Sequence, residues 1–152
     1  MKPVYYKFES DFVDTLRCIP MIVRYKLDIC DKKLQLPEWN KLKAQEKKLL
    51  AELPCESSTE IELYRSRLDE MVWNRSKKHI KNLGGLEPGW ENLSQIPDEV
   101  QQKAKEWNCE PLTLTQWQRL DLLQRFALVK LSRSGHEGAN FPKALVEFGL
   151  RS

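Results

Sequence analysis

The residue types able to do chemistry are few in this chain, and they are scattered. Four cysteines, Cys18, Cys30, Cys55 and Cys109, and two histidines, His79 and His136, are the only thiols and imidazoles. Zinc needs such ligands to converge in a tetrahedral set. No C-x-x-C pair or other metal-ligand spacing brings them together, so no metal is expected. A nucleophilic cysteine needs a neighbouring base and partial exposure. All four cysteines lie in or beside apolar stripes, which points to packing and to free thiols. No phosphate-cradling G-x-x-x-x-G-K, dinucleotide G-x-G-x-x-G or zinc-protease H-E-x-x-H is present. The sequence therefore names no catalytic and no cofactor-binding residue.

Two groups of polar residues stand out against their surroundings. Arg17, Arg24 and Lys26 punctuate the apolar run LRCIPMIVRYKLD, and arginine is common at interface hot spots. Arg133, His136, Glu137 and Asn140 fall in and beside the loop SGHEGAN, and loops held by rigid helices often carry function. Arg17, Arg24, Lys26, Arg133, His136 and Asn140 are therefore the candidate partner-binding residues, although His136 and Asn140 could equally serve as helix caps. Trp39 and Trp117 could form a ligand cage, but at helical spacing among leucines they read as core. The basic run RSKKHIK, residues 75–81, reads first as a solvated helix end matched to the helix dipole.

The elements that would position these residues are helices. Glycine is scarce, while Leu, Glu, Lys, Gln and Arg are plentiful. Apolar content of 41% and charged content of 31% suit a globular chain. The balance of 25 basic and 22 acidic residues, net +3, is too even to indicate nucleic acid or an anionic membrane. No apolar run approaches the roughly 20 residues that span a bilayer. The start, MKPVYYKFESDF, lacks an apolar signal-peptide core, which gives a cytoplasmic expectation.

The chain also repeats itself. LQLPEWNKLKAQEKKLLAEL, residues 34–53, and LTLTQWQRLDLLQRFALVKL, residues 112–131, agree at Leu34/Leu112, Leu36/Leu114, Trp39/Trp117, Leu42/Leu120, Leu50/Leu128 and Leu53/Leu131. Upstream of each copy stands L-x-x-I-P-x-x-V-x-x-K, built on Pro20 and on Pro97. The reading is an all-α, single-domain helical bundle of two pseudo-repeated units, about 10–81 and 90–152, joined by the turn cluster at 82–89. Residues 1–9 read as an extended arm or a lone strand. A first short helix carries Phe12, Val13 and Leu16, and further helices cover about 20–29, 58–80, 97–107 and 141–148. Ser57-x-x-Glu60 opens the longest as a capping box. Whether the Trp39 and Trp117 helices run through or break near Lys43 and Asp121 stays open. Expected core residues are Leu16, Ile19, Val23, Trp39, Leu42, Leu50, Leu53 and Ile61, then Leu93, Ile96, Val100, Trp117, Leu120, Leu128, Leu131 and Leu145.

Three long stretches carry a resemblance: FESDFVDTLRCIPMIVRYKLD at 8–28, LQLPEWNKL followed by LLAELP, and LTLTQWQRLDLLQRFALVKLSRSGHEGANFPKALVEFGL at 112–150. On them the chain resembles the nitrate reductase-associated proteins, a small bacterial family known chiefly from cyanobacteria. The resemblance implies an accessory role near nitrate reductase and its molybdenum cofactor, and it supplies no catalytic residues to carry over. The leading expectation is a non-catalytic accessory or chaperone-like protein. Its partner would be nitrate reductase or a molybdenum-cofactor assembly enzyme. Behind it stand a nucleic-acid-linked regulator using the basic helix end at 77–81, and an undescribed enzyme with a site between the repeats. No membrane partner is expected, and the oligomeric state is not assigned.

Overall fold

Leu, Val and Trp at helical spacing need neighbours to cover them, and short Pro-started helices supply those neighbours. The structure, a computed structural model, describes residues 3–9, 18–84, 88–133 and 139–151. Among them are eight α-helices, two 3-10 turns and one two-stranded sheet. The chain divides into two compact units, Met1–Leu86 and Glu87–Ser152. Arg17, Leu16, Phe12, Val13 and His136, each singled out by the sequence, lie outside the described residues.

In the first unit, residues 7–9 form a 3-10 turn rather than a strand. Tyr6 and Phe8 are buried with their rings stacked 5.4 Å apart. Helix α1, Met21–Ile29, starts behind Pro20, which offers no capping side chain. Glu9 supplies the cap from a distance, its Oε1 accepting from the Met21 amide at 2.7 Å and its Oε2 from the Tyr6 amide at 3.1 Å. A buried carboxylate there satisfies an orphan amide and meets the positive end of the helix dipole. Val23, Leu27 and Cys30 point inward as expected. Asp31, at φ 56°, turns the chain into β1, Lys32–Lys33, which pairs antiparallel with β2, Lys81–Asn82.

Helix α2, Leu36–Asn40, and helix α3, Ala44–Glu52, are separate. The break falls at Lys43, whose amide donates to Glu46 Oε1 at 2.8 Å. Helix α4, Ser58–Ser76, opens on the expected box: Ser57 Oγ accepts from the Glu60 amide at 3.1 Å and Glu60 Oε1 from the Ser57 amide at 2.9 Å. It stops four residues earlier than the expected end at Ile80, because Lys77 takes the left-handed conformation at φ 54°. Beyond it Ile80 is buried, and its amide donates to Asp69 Oδ1 at 3.3 Å.

In the second unit a 3-10 turn at Gly89–Glu91 buries Trp90 edge-on against Phe126, with centroids 5.0 Å apart. Trp90 is buried, whereas Leu93, expected in the core, is 45% exposed, and Leu53, Ile61 and Ile96 are half-buried. Helix α5, Asp98–Glu106, begins behind Pro97, and Asn108, at φ 55°, follows its end. Helices α6, Leu114–Arg119, and α7, Leu122–Arg133, break at residues 120–121. Thr113 with Gln116 and Asp121 with Gln124 make reciprocal caps at 2.8–3.1 Å. Helix α8, Asn140–Glu147, is the last, and Gly149 at φ 76° ends it. Trp117 is wholly buried in this unit and Trp39 in the first.

Candidate functional site

The residues chosen from sequence occupy unlike places. Arg24 is half-buried on α1, with its Nε donating to the Ile19 carbonyl at 2.8 Å. Arg133 ends α7 and holds Glu99 with two bonds of 3.0 Å, a bidentate pair. Asn140 is half-buried as the first residue of α8. Arg17 and His136 lie outside the described residues. Lys26, a candidate partner-binding residue by its sequence, is instead buried at 2% exposure. Its position shares the helical phase of Ile22 and Cys30, four residues either way, so its burial was legible in the spacing.

Lys26 is buried for a reason. Its Nζ donates to the carbonyls of Ala51 and Leu53, each at 2.6 Å, at the C-terminal end of α3. Those carbonyls are orphans of the last helical turn, and a cation there meets the negative end of the dipole. Desolvation pulls the Lys26 amine below the usual lysine range, while nearby Cys55 and Glu56 partly restore it. Tyr64 Oη closes the same region by donating to the Leu50 carbonyl at 2.7 Å. Burial pushes the Tyr64 phenol far up, so it stays neutral.

Against Lys26 stand two thiols that the sequence left apart. Cys30 Sγ and Cys55 Sγ are 3.0 Å from each other, both buried and both free thiols. Spacing of 25 residues gives no local signal of such a meeting. Arg65 Nε donates to the Cys30 carbonyl at 2.8 Å and bonds Glu62 through Nη1. A buried cation beside paired thiols is an environment that can favour thiolate. Among the described residues no group of three or more His, Cys, Asp or Glu could hold a metal ion.

A groove of about 600 Å³ lies in the second unit. Pro111, Leu112, Leu145 and Leu150 give it apolar walls, and Glu110 and Arg151 give it one charge of each sign. Arg151 Nη1 reaches Cys109 Sγ at 2.8 Å, and Gln116 Nε2 the Leu150 carbonyl at 3.4 Å. Trp107, Leu114 and Val146, next in sequence to lining residues, are 42%, 41% and 50% exposed. Exposed large apolar side chains become a contact site when they gather into one patch. In the first unit, the basic helix end is interleaved with acids. Arg75 Nε meets Glu46 at 3.0 Å, and His79 Nδ1 lies 3.8 Å from Asp69.

Fold and surfaces together define a small, mostly helical protein with a buried lysine–dithiol cluster and an open groove of mixed character. The chain belongs to the family of conserved nitrate reductase-associated proteins, whose family model matches residues 5–148. Comparison with curated proteins and comparison with solved structures each return no match.

Proposed function

We propose that the protein is a non-catalytic accessory or chaperone-like factor of nitrate assimilation, binding nitrate reductase or an enzyme that assembles its molybdenum cofactor. Family membership links the chain to nitrate reductase. The observation that carries a binding role is the groove of the second unit; Trp107, Leu114 and Val146, each next in sequence to a lining residue, are exposed. Mixed walls with one Glu and one Arg suit a peptide segment or helix face of a partner. The reading places the protein in the cytoplasm; no described helix is long and apolar enough to cross a membrane. The test is affinity capture with the tagged full chain from nitrate-grown and ammonium-grown cells. Nitrate reductase or a cofactor-assembly enzyme enriched from the nitrate-grown cells supports the reading. Capture of neither from either culture contradicts it.

The same proposal includes a common origin for the two units. Pro20 and Pro97 each precede a nine-residue helix, and each carbonyl accepts from the residues three and four further on. Asp31 and Asn108 each leave that helix at positive φ. A short helix carrying a buried Trp follows each, then a break and a longer helix. Superposing residues 19–53 on 96–131 in an experimental structure tests it. Trp39 should fall on Trp117 and Pro20 on Pro97; unrelated helix directions would refute it.

A further inference from the structure

Cys30 and Cys55 are not an ordinary packed pair. Cys30 caps the end of α1 and is fully enclosed, while Cys55 stands in the irregular linker of residues 53–57 between α3 and α4. Their sulfurs are 3.0 Å apart, and each has a backbone carbonyl on another side, Ile61 at 3.9 Å from Cys30 and Lys26 at 3.8 Å from Cys55. Cys30 is wholly enclosed and Cys55 is 5% exposed. Cys55 lines a dimple of about 10 Å³ with Tyr25, Lys26, Pro54 and Glu56, about the room that one water-sized molecule needs.

Charge is asymmetric too. The hydrogen bond to Cys55 and burial push the Cys30 thiol well up. The bond from Cys30 holds the Cys55 thiol below its ordinary value against burial, with Lys26 and Arg65 adding to it. A thiol near a cation, with a second thiol in contact, can be oxidised reversibly to a disulfide.

We propose that Cys55 is a site of reversible oxidation by hydrogen peroxide, with Cys30 as its resolving thiol. The Cys55 sulfur attacks one peroxide oxygen and the O–O bond breaks. The sulfur becomes a sulfenic acid, oxidised by two electrons, and the leaving hydroxide takes the thiol proton as water. Cys30 sulfur then attacks Cys55 sulfur; the S–S bond forms and the S–O bond breaks. The second hydroxide leaves with the Cys30 proton, also as water. One peroxide is reduced to two waters and two thiols become a disulfide, which an external dithiol reopens by exchange. The new bond ties the end of α1 to the linker before α4, enclosing α2 and α3 in a covalent loop. At 5% exposure, Cys55 is closed to bulky alkyl hydroperoxides.

The test uses the reduced full chain, treated with hydrogen peroxide or with cumene hydroperoxide, then alkylated and mapped by mass spectrometry. With hydrogen peroxide, a Cys30–Cys55 peptide pair should form about tenfold faster than any change at half-exposed Cys18 or at Cys109, and dithiothreitol should reverse it. Cumene hydroperoxide should give far less. In Cys30→Ser, dimedone should trap a sulfenic acid on Cys55. Should that variant not fold, mapping of the natural chain decides alone. Oxidation first at Cys18 or Cys109, with Cys30 and Cys55 still alkylated after denaturation, would overturn the proposal, as would a Cys30–Cys55 bond that forms only in urea.

Discussion

Lys26 carries its ammonium group out of water to the last carbonyls of α3, and that choice explains three neighbours at once. Ala51 and Leu53 lose their solvent and gain a donor; Cys55 gains a cation. Replacing Lys26 by Met keeps the apolar stem but takes the donor from one buried and one half-buried carbonyl. Unmade buried bonds cost about 1–3 kcal/mol each, offset in part by no longer burying a charge. Lys26→Met should therefore lower stability by about 2 kcal/mol in urea melts, and an unchanged midpoint would show that water already serves those carbonyls. Arg133 is the contrasting case. Its pair with Glu99 leaves both side chains more than a third exposed, and such pairs contribute about 0–1 kcal/mol. Arg133→Ala should shift the melt by less than about 1 kcal/mol, so a larger loss would mean that the pair braces the unit. By type and place Lys26 groups with Arg17 and Arg24, all three cations within one apolar run. Charge type spoke for exposure, and the phase of Ile22 and Cys30 spoke for burial; phase won. Arg125 was passed over the same way. It is buried, its Nε donating to the Trp90 carbonyl at 2.7 Å and its Nη1 to the Leu120 carbonyl.

Helix starts were the most legible elements, because caps are local chemistry. Ser57 and Glu60 are three residues apart and their box forms as read. Ser57→Ala should cost about 1 kcal/mol, visible as a lower thermal midpoint with unchanged helix content at low temperature. Helix ends were less legible. The run after Arg75 suggested helix to Ile80, but the turn at Lys77 depends on Ile80 reaching the core, which is a tertiary demand. The first pseudo-repeat break was open in sequence for a similar reason: Lys43 cannot cap with its side chain, and Glu46 does so by accepting from its amide. This also gives a pH dependence. Burial alone would raise Glu46, but the Lys43 amide and Arg75 outweigh it and hold the carboxyl below its usual value. The amides of Ser57 and Glu56 do the same for Glu60. Both carboxyls are depressed in the folded chain, so their contribution is complete above the ordinary glutamate pKa of about 4.3 and fades as pH falls through the folded values. Stability should drop on acidification below about pH 4.5, and Glu46→Gln should flatten that drop. An equal drop in the variant would assign the effect to other groups.

At the scale of the molecule, the mostly helical class was legible from composition and period, and the family from three long stretches. The thiol pair was not, since two cysteines 25 residues apart meet only after α1 and the α3–α4 linker pack. Nor was the groove, which is made by residues of α6, α8 and the segments at 108–113 and 150–151 that no single run of sequence joins. The exposed side chains next in sequence to its lining give the central claim its most direct measurement. Purified full-length protein is titrated against purified nitrate reductase, with and without its molybdenum cofactor, by calorimetry, alongside Leu114→Asp and Val146→Asp. Both positions are about half in water, so the variants should melt within about 0.5 kcal/mol of the natural chain. The account expects saturable binding by the natural chain, weakened about tenfold or more by either variant, a loss of about 1.4 kcal/mol. Binding of equal strength in all three would move the contact away from the groove, and no binding to either form of the enzyme would contradict its role as partner.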